Sequence, residues 1–137
     1  MKIKYDASLM KFMALFEQIT RVGAKDCFVD EHATWFIVPE TDIGKAIGKG
    51  GQHVRLLERK LNRKIKIVAF SPQSTQFISN LIYPLQAKEI REEEGHITIV
   101  GSDTASKGVL IGRNGRNLRN LTEITKRFFP TVTIEVM

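Results

Sequence analysis

The sequence predicts an α+β fold in which one arrangement of helices and strands occurs twice. Apolar residues recur at helical spacing in some segments and alternate in others, and two similar glycine-rich loops lie 64 residues apart. A half of about 65–70 residues is near the lower size limit for a self-sufficient core. We therefore expect two halves, residues 1–70 and 71–137, that pack closely against each other.

The first half reads helix, strand, strand, helix, loop, helix, strand. Helical spacing of apolar side chains predicts the first helix, and β-branched and aromatic residues around a polar turn predict an antiparallel hairpin. The expected elements are a helix at 8–20, strands at 26–29 and 34–38, a short helix capped by Thr41 or Asp42 and ending at 46, a helix at 52–62 and a strand at 64–69. Arg55, Arg59 and Arg63, at positions i, i+4 and i+8, should form an exposed stripe on the helix at 52–62.

The second half repeats this order. Ser71 and Pro72 resemble an N-cap followed by a first-turn proline, and they predict where its first helix begins. The remaining elements are expected to be strands at 86–92 and 97–100, a short helix at 106–110, a long helix at 116–128 and a strand at 131–136. Each half is thus a three-stranded sheet covered by helices.

The most informative motif is a pair of loops that read I-G-basic-x-G. The first copy consists of Ile47, Gly48, Lys49, Gly50 and Gly51, and the second of Ile111, Gly112, Arg113, Asn114 and Gly115. Such a turn entering a helix lets backbone N–H groups approach a phosphate, because glycine has no Cβ. A single copy often only starts a helix, but two matched copies with basic centres indicate a nucleic-acid backbone as the ligand.

The positive charge of the chain is concentrated around these loops. Residues 41–66 and 107–127 hold 14 of the 21 basic side chains but only 3 of the 15 acidic ones. Their net charge is +11, whereas the other 90 residues sum to −5. This distribution is typical of a surface that follows a phosphate backbone.

Individual roles follow from chemistry. The four glycines at 48, 51, 112 and 115 would permit close backbone approach, Lys49 and Arg113 would neutralise phosphate, and the helix N-termini at Gln52 and Arg116 would add their dipoles. Arg55 and Arg119 could reach a phosphate or a base face. Ile47 and Ile111 either line a base groove or belong to the core, and His53 either bonds the nucleic acid or is a solvated helix residue. By resemblance to other GxxG loops, many of which carry another cation where Asn114 stands, the second site should bind phosphate less strongly.

Other classes of function have little support in the sequence. The glycine spacing around the first loop fits neither a P-loop nor a dinucleotide-binding fingerprint. The single cysteine, Cys27, reads as a core residue, and the three isolated histidines do not suggest a zinc site. No segment is apolar enough to cross a membrane. We predict no catalysis, no cofactor, no metal site and no membrane partner, and a cytoplasmic location.

With these residues in view, the chain resembles tandem KH domains of the prokaryotic type, whose signature is a GxxG loop between two helices. The resemblance covers almost the whole chain in two copies. It implies that each domain clamps about four nucleotides of single-stranded RNA or DNA, with Lys49 and Arg113 beside phosphates. A close tandem with an extra leading helix is further similar to the RNA-binding pair of NusA-like transcription termination and antitermination factors, especially the short archaeal ones.

That resemblance implies single-stranded RNA as the partner, either a nascent transcript or ribosomal RNA. RNA polymerase and other transcription factors are further candidate partners. Three alternatives stay open at this point. They are an RNA-binding protein of ribosome assembly or translation, an enzyme with phosphate-cradling loops, and a protein-interaction module whose loops no longer bind nucleic acid.

Overall fold

The computed structural model describes residues 7–137. The chain folds into two compact units, with the boundary between Phe70 and Ser71. The elements of the first unit are α1 (Ala7–Thr20), β1 (Asp26–Val29), β2 (Ala33–Val38), α2 (Ile43–Ile47), α3 (Gln52–Leu61) and β3 (Lys64–Ala69). Those of the second unit are α4 (Ser74–Ile82), β4 (Ala87–Glu93), β5 (His96–Gly101), α5 (Thr104–Ile111), α6 (Arg116–Phe128) and β6 (Thr133–Val136). The predicted α+β fold with two three-stranded sheets is confirmed; the close packing of the halves stays a prediction.

Both sheets have the same topology. In the first, β2 lies between an antiparallel β1 and a parallel β3, and in the second β5 lies between an antiparallel β4 and a parallel β6. A short turn suffices for the antiparallel pair, whereas the parallel strand requires a crossover. That crossover contains α2 and α3 in the first unit, and α5 and α6 in the second. Each glycine loop is therefore the joint between the two helices of a crossover.

The core of the first unit lies between its sheet and its helices. Alternate strand residues face the helices, as the period of two requires. Phe16 of α1 and Phe36 of β2 are fully buried and stack with their ring centroids 4.3 Å apart. Leu57 of α3 and Ala46 of α2 are also fully buried in this cluster. These contacts fix the orientation of α2 and α3, and with them the position of the loop.

The start of α4 differs from the prediction, whereas α2 begins directly after Asp42, one of its two predicted caps. Helix α4 begins at Ser74 rather than at Pro72, because the Ser71 hydroxyl accepts a hydrogen bond from the Gln73 amide (3.2 Å) and closes a turn before the helix. In the first unit, residues 40–42 form a 3₁₀ turn that leads directly into α2, and the side chain of Asp42 makes no capping bond. In the second unit Asp103 is a cap that the sequence patterns did not predict, and it accepts from the Ser106 amide at 2.7 Å.

The predicted arginine stripe is incomplete. Arg55 and Arg59 are exposed, but Arg63 follows the end of α3 and is only partly exposed. Its guanidinium donates to the backbone oxygens of Asp30 and Ala33 and to the hydroxyl of Thr34. Arg63 therefore ties the β1–β2 turn to the start of β3, because its fixed fork of donors suits several acceptors at once.

Candidate nucleic-acid interface

The two glycine loops have the same backbone conformation. Their first glycines, Gly48 and Gly112, have φ/ψ of 80°/165° and 77°/171°. Two residues later, Gly50 (61°/21°) and Asn114 (57°/27°) are both left-handed. In each loop the amide of the last glycine donates to the carbonyl of the first, at 3.0 Å and 3.1 Å. Two segments that differ in sequence thus present the same turn, each at the N-terminus of a long helix.

The space beside the first glycine of each loop is filled by the protein itself. A Cβ at Gly48 would lie 2.8 Å from the ring of His53, and one at Gly112 would lie 2.7 Å from the side chain of Asn117. Both glycines also have positive φ, which L side chains rarely adopt. The open side of the loop is one or two residues further on, where a Cβ at Gly50 would meet nothing within 4 Å.

That open side carries the predicted cations. Lys49 and Arg113 are exposed, and so are their neighbours Gly50 and Asn114. Within residues 7–137, neither Lys49 nor Arg113 takes part in an ion pair. Both positive charges are therefore available to an anionic ligand and are not neutralised by a carboxylate of the described chain.

Arg55 and Arg119 each donate a hydrogen bond to the backbone of their own loop. One guanidinium N–H of Arg55 donates to the Gly50 carbonyl, and the equivalent group of Arg119 donates to the Asn114 carbonyl, both at 2.5 Å. The sequence suggested phosphates or bases as the partners of these arginines. The structure places them against the loop backbone, and since a guanidinium has five donors, each keeps further N–H groups on an exposed side chain.

The remaining predicted residues frame the loops. Ile47 and Ile111 are partly buried at the last positions of α2 and α5, which is compatible with a place in the base groove and with a place in the core. Gln52 is exposed and Arg116 partly buried at the first positions of α3 and α6. The backbone N–H groups of Gln52 and Arg116 donate to the carbonyls of Lys49 and Arg113, which continues each loop directly into its long helix.

A further glycine pair was not singled out from the sequence. Gly44 in α2 and Gly108 in α5 each lie four residues before the first loop glycine, and both are exposed. A Cβ at either position would meet nothing within 4 Å. Glycine inside a helix costs about 0.5–1 kcal/mol relative to alanine, and nothing in the described chain requires it here. The repetition of this glycine in both copies was the signal that could have revealed it.

The surfaces around these helical glycines differ between the units. The residue after Gly44 is Lys45, and the residue after Gly108 is Val109, whose side chain is 52% exposed. An exposed apolar side chain beside a glycine favours contact with a flat apolar ligand surface, whereas a lysine favours a charged or polar one. The two sites therefore share their backbone geometry and differ in chemistry.

Other kinds of site find no support among the described residues. Residues 7–137 contain no group of three or more His, Cys, Asp or Glu side chains that could hold a metal ion. In the same part of the chain no helix is both long and apolar enough to span a membrane. Cys27 is fully buried, and burial raises the pKa of its thiol to about 12.

A GxxG loop between two helices, packed on a sheet with one antiparallel and one parallel neighbour, defines a KH-domain protein. The family model described as "KH domain" matches residues 13–72. The chain is 30% identical over 138 residues to the "Probable transcription termination protein NusA" of Halobacterium salinarum, covering 99% of each chain. It is 29% identical to the protein of the same name from Methanocaldococcus jannaschii, covering 99% of this chain and 76% of the relative.

A solved structure extends the likeness across both units. The "Crystal structure of APE1850" superposes with a TM-score of 0.72 at 27% identity, covering 97% of this chain and 100% of the other. The chain belongs to the archaeal NusA-like family of KH-domain proteins. This family is not enzymatic, in agreement with the prediction from sequence.

Proposed function

We propose that the protein binds single-stranded RNA through its two GxxG loops and acts in transcription termination or elongation. The observation that carries the proposal is the pair of loops with matching backbone geometry, each presenting an exposed and unneutralised cation. Phosphate binding suits such a loop because its glycines permit close approach to the backbone and its cation is exposed beside them. The names of the relatives, transcription termination proteins, support the transcriptional role.

The residues of each site have separate roles in binding. Arg55 and Arg119 hold the loop carbonyls, which keeps the loop in one conformation before the ligand arrives. Lys49 and Arg113 then meet the phosphates, and the open helix surface at Gly44 and Gly108 accommodates the adjoining sugar or base. Prior ordering of the loop reduces the entropic cost of binding. A nascent transcript is the proposed RNA, and RNA polymerase is a proposed partner.

The test is fluorescence anisotropy with short single-stranded RNA, duplex RNA and single-stranded DNA at two salt concentrations. Lys49→Asp and Arg113→Asp should each weaken single-strand binding roughly tenfold or more, because a hydrogen bond to a charged group contributes about 1.5–3 kcal/mol. Lys88→Asp, at an exposed position on β4, is the matched control and should retain nearly all the affinity. The log–log salt slope should fall by roughly 0.7 for each phosphate that the variant no longer neutralises.

The double substitution Lys49→Asp with Gly50→Asp should abolish binding through the first loop while the fold persists. Affinity that is indifferent to both loops would refute the proposal and direct attention to protein partners. Crosslinking in cells then separates the two RNA-binding roles. Recovery of nascent transcripts supports the transcriptional role, whereas recovery of ribosomal RNA alone would contradict it and favour ribosome assembly or translation.

A further inference from the structure

The second residue of each long helix reaches back to the short helix before the loop. In the first unit the Nδ1 atom of His53 lies 3.1 Å from the carbonyl oxygen of Lys45 and 3.2 Å from that of Ala46. In the second unit the Nδ2 atom of Asn117 donates to the carbonyl oxygen of Val109 at 2.7 Å. Lys45 and Val109 are equivalent positions, so different side chains make the same contact.

The chemistry of this contact is fixed by its acceptors. A carbonyl oxygen can only accept a hydrogen bond, so the Nδ1 atom of His53 must carry a proton and the amide nitrogen of Asn117 must face Val109. The shared property of an imidazole and a carboxamide here is one N–H donor at the same distance along the side chain. Two different residue types thus make the same hydrogen bond in the two units.

The carbonyls concerned lie at the C-terminal ends of α2 and α5. The last four carbonyls of a helix have no partner within it and carry partial negative charge. They lie directly before the loop that is proposed to receive a phosphate. A side-chain N–H on these oxygens reduces the repulsion that they would exert on an anion. It also joins the short helix to the long one across the loop.

The same side chains set the position of the first glycine. Because a Cβ would come within 2.8 Å of His53 at Gly48 and within 2.7 Å of Asn117 at Gly112, these side chains pack against the Cα atoms themselves. His53 and Arg55 therefore hold the two ends of the first loop, one at Gly48 and the other at the Gly50 carbonyl. Asn117 and Arg119 do the same in the second loop.

We propose that His53 and Asn117 are positioning residues for RNA binding, which act by donating to the terminal carbonyls of the short helices and by fixing the first loop glycine. This inference rests on the proposed function, since it concerns the affinity of the same loops. It assigns no RNA contact to either side chain. What the loops require at residues 53 and 117 is a donor, not a particular residue.

The test compares variants that keep the donor with variants that lack it. His53→Asn and Asn117→His exchange the residues of the two loops, and His53→Leu and Asn117→Leu remove the N–H without adding charge. We expect the exchanged variants to bind single-stranded RNA within about twofold of wild type, and the leucine variants to bind roughly 3–10-fold more weakly, the range of one net hydrogen bond. Amide NMR shifts of residues 48–51 and 112–115 should change only in the altered loop.

The outcomes separate this inference from the function on which it rests. If wild type binds RNA, and Lys49→Asp and Arg113→Asp weaken it, but the leucine variants bind normally, only the positioning role is refuted. His53→Asn binding as weakly as His53→Leu would also refute it, because the donor would then not be the requirement. If both leucine variants unfold their unit, the contacts are structural and the inference fails. Wild-type binding indifferent to both loop cations would overturn the proposed function, and this inference with it.

Discussion

Replacing the exposed helical glycines by alanine should make the protein more stable and a weaker RNA binder. Gly108 lies inside the eight-residue helix α5, so Gly108→Ala should raise the free energy of unfolding by about 1 kcal/mol. Gly44 is the second residue of the five-residue helix α2, where the backbone is less constrained, and Gly44→Ala should contribute about 0.5 kcal/mol. No internal clash opposes either gain, since an added Cβ meets nothing within 4 Å.

The reduced affinity has a separate cause. If RNA packs against these glycines, an added methyl group must push the RNA away from the helix. Overpacking of a close contact costs about 1 kcal/mol or more, which corresponds to a roughly fivefold loss of affinity. Urea denaturation followed by circular dichroism measures the stability of the chain. Fluorescence of Trp35, the single tryptophan, reports on the first unit because it lies in β2. Anisotropy with single-stranded RNA measures the affinity.

A control separates helix propensity from contact with the ligand. Ser79→Ala, at an exposed position of α4, should stabilise the helix slightly and leave RNA affinity unchanged. A rise in stability with unchanged affinity in Gly44→Ala and Gly108→Ala would refute the assignment of these helix surfaces to RNA. A fall in stability would refute the premise that the backbone tolerates a side chain there.

Three further outcomes are expected. Gly50→Asn should leave fold and affinity nearly unchanged, because Asn114 already adopts the same left-handed conformation, whereas Gly50→Val should lower the free energy of unfolding by about 1–2 kcal/mol in urea denaturation. Hydrogen bonds from Ser106 lower the pKa of Asp103 in the folded protein. The stabilisation that Asp103 gives is therefore complete above the pKa of an ordinary carboxyl group, and it is lost as the pH falls through the lower pKa of the folded state. Asp103→Asn should make the free energy of unfolding depend less on pH in this range of an acid titration. Cys27, with its pKa raised to about 12, should react with iodoacetamide only in denaturant, and rapid alkylation of the native protein would contradict its burial.

Local patterns predicted most of the fold because the local and global preferences agree. The alternation in β3 and β6 and the helical spacing in α3 and α6 are strong enough to identify the elements. The predicted boundaries were wrong where a polar side chain had several possible roles. Ser71 could cap a helix or close a turn, and the turn prevailed because its hydroxyl accepts from the amide of Gln73.

Arg63 shows what periodicity cannot reveal. Its position continues the stripe of Arg55 and Arg59, yet its acceptors lie 29 to 33 residues earlier in the chain. A pattern of spacing predicts which face of a helix a residue occupies, and it contains no information on distant partners. Only the folded β1–β2 turn brings those acceptors within reach.

The same limit applies to the site. The loops and their cations were visible in the sequence, and Lys49 and Arg113 are exposed in the structure; their contact with phosphate stays a prediction. The function of His53 was not visible in the sequence, because a histidine at this position fits a solvated side chain and an RNA-bonding one equally well. Comparison with the equivalent Asn117 removes that ambiguity, since both side chains can donate an N–H and both face the carbonyls of the short helix.

Comparison of the two loops therefore distinguishes residues that the backbone conformation requires from residues that determine contact with the ligand. Glycine at 48 and 112, a donor at 53 and 117, and arginine at 55 and 119 recur because the loop conformation depends on them. Among the residues that differ, Lys45 and its counterpart Val109 are exposed, and so are Gly50 and its counterpart Asn114, which keep the same backbone conformation. It follows that the two sites should hold an RNA backbone in the same manner and differ in affinity and base preference. Exchanging Lys45 and Val109 should transfer that difference from one unit to the other.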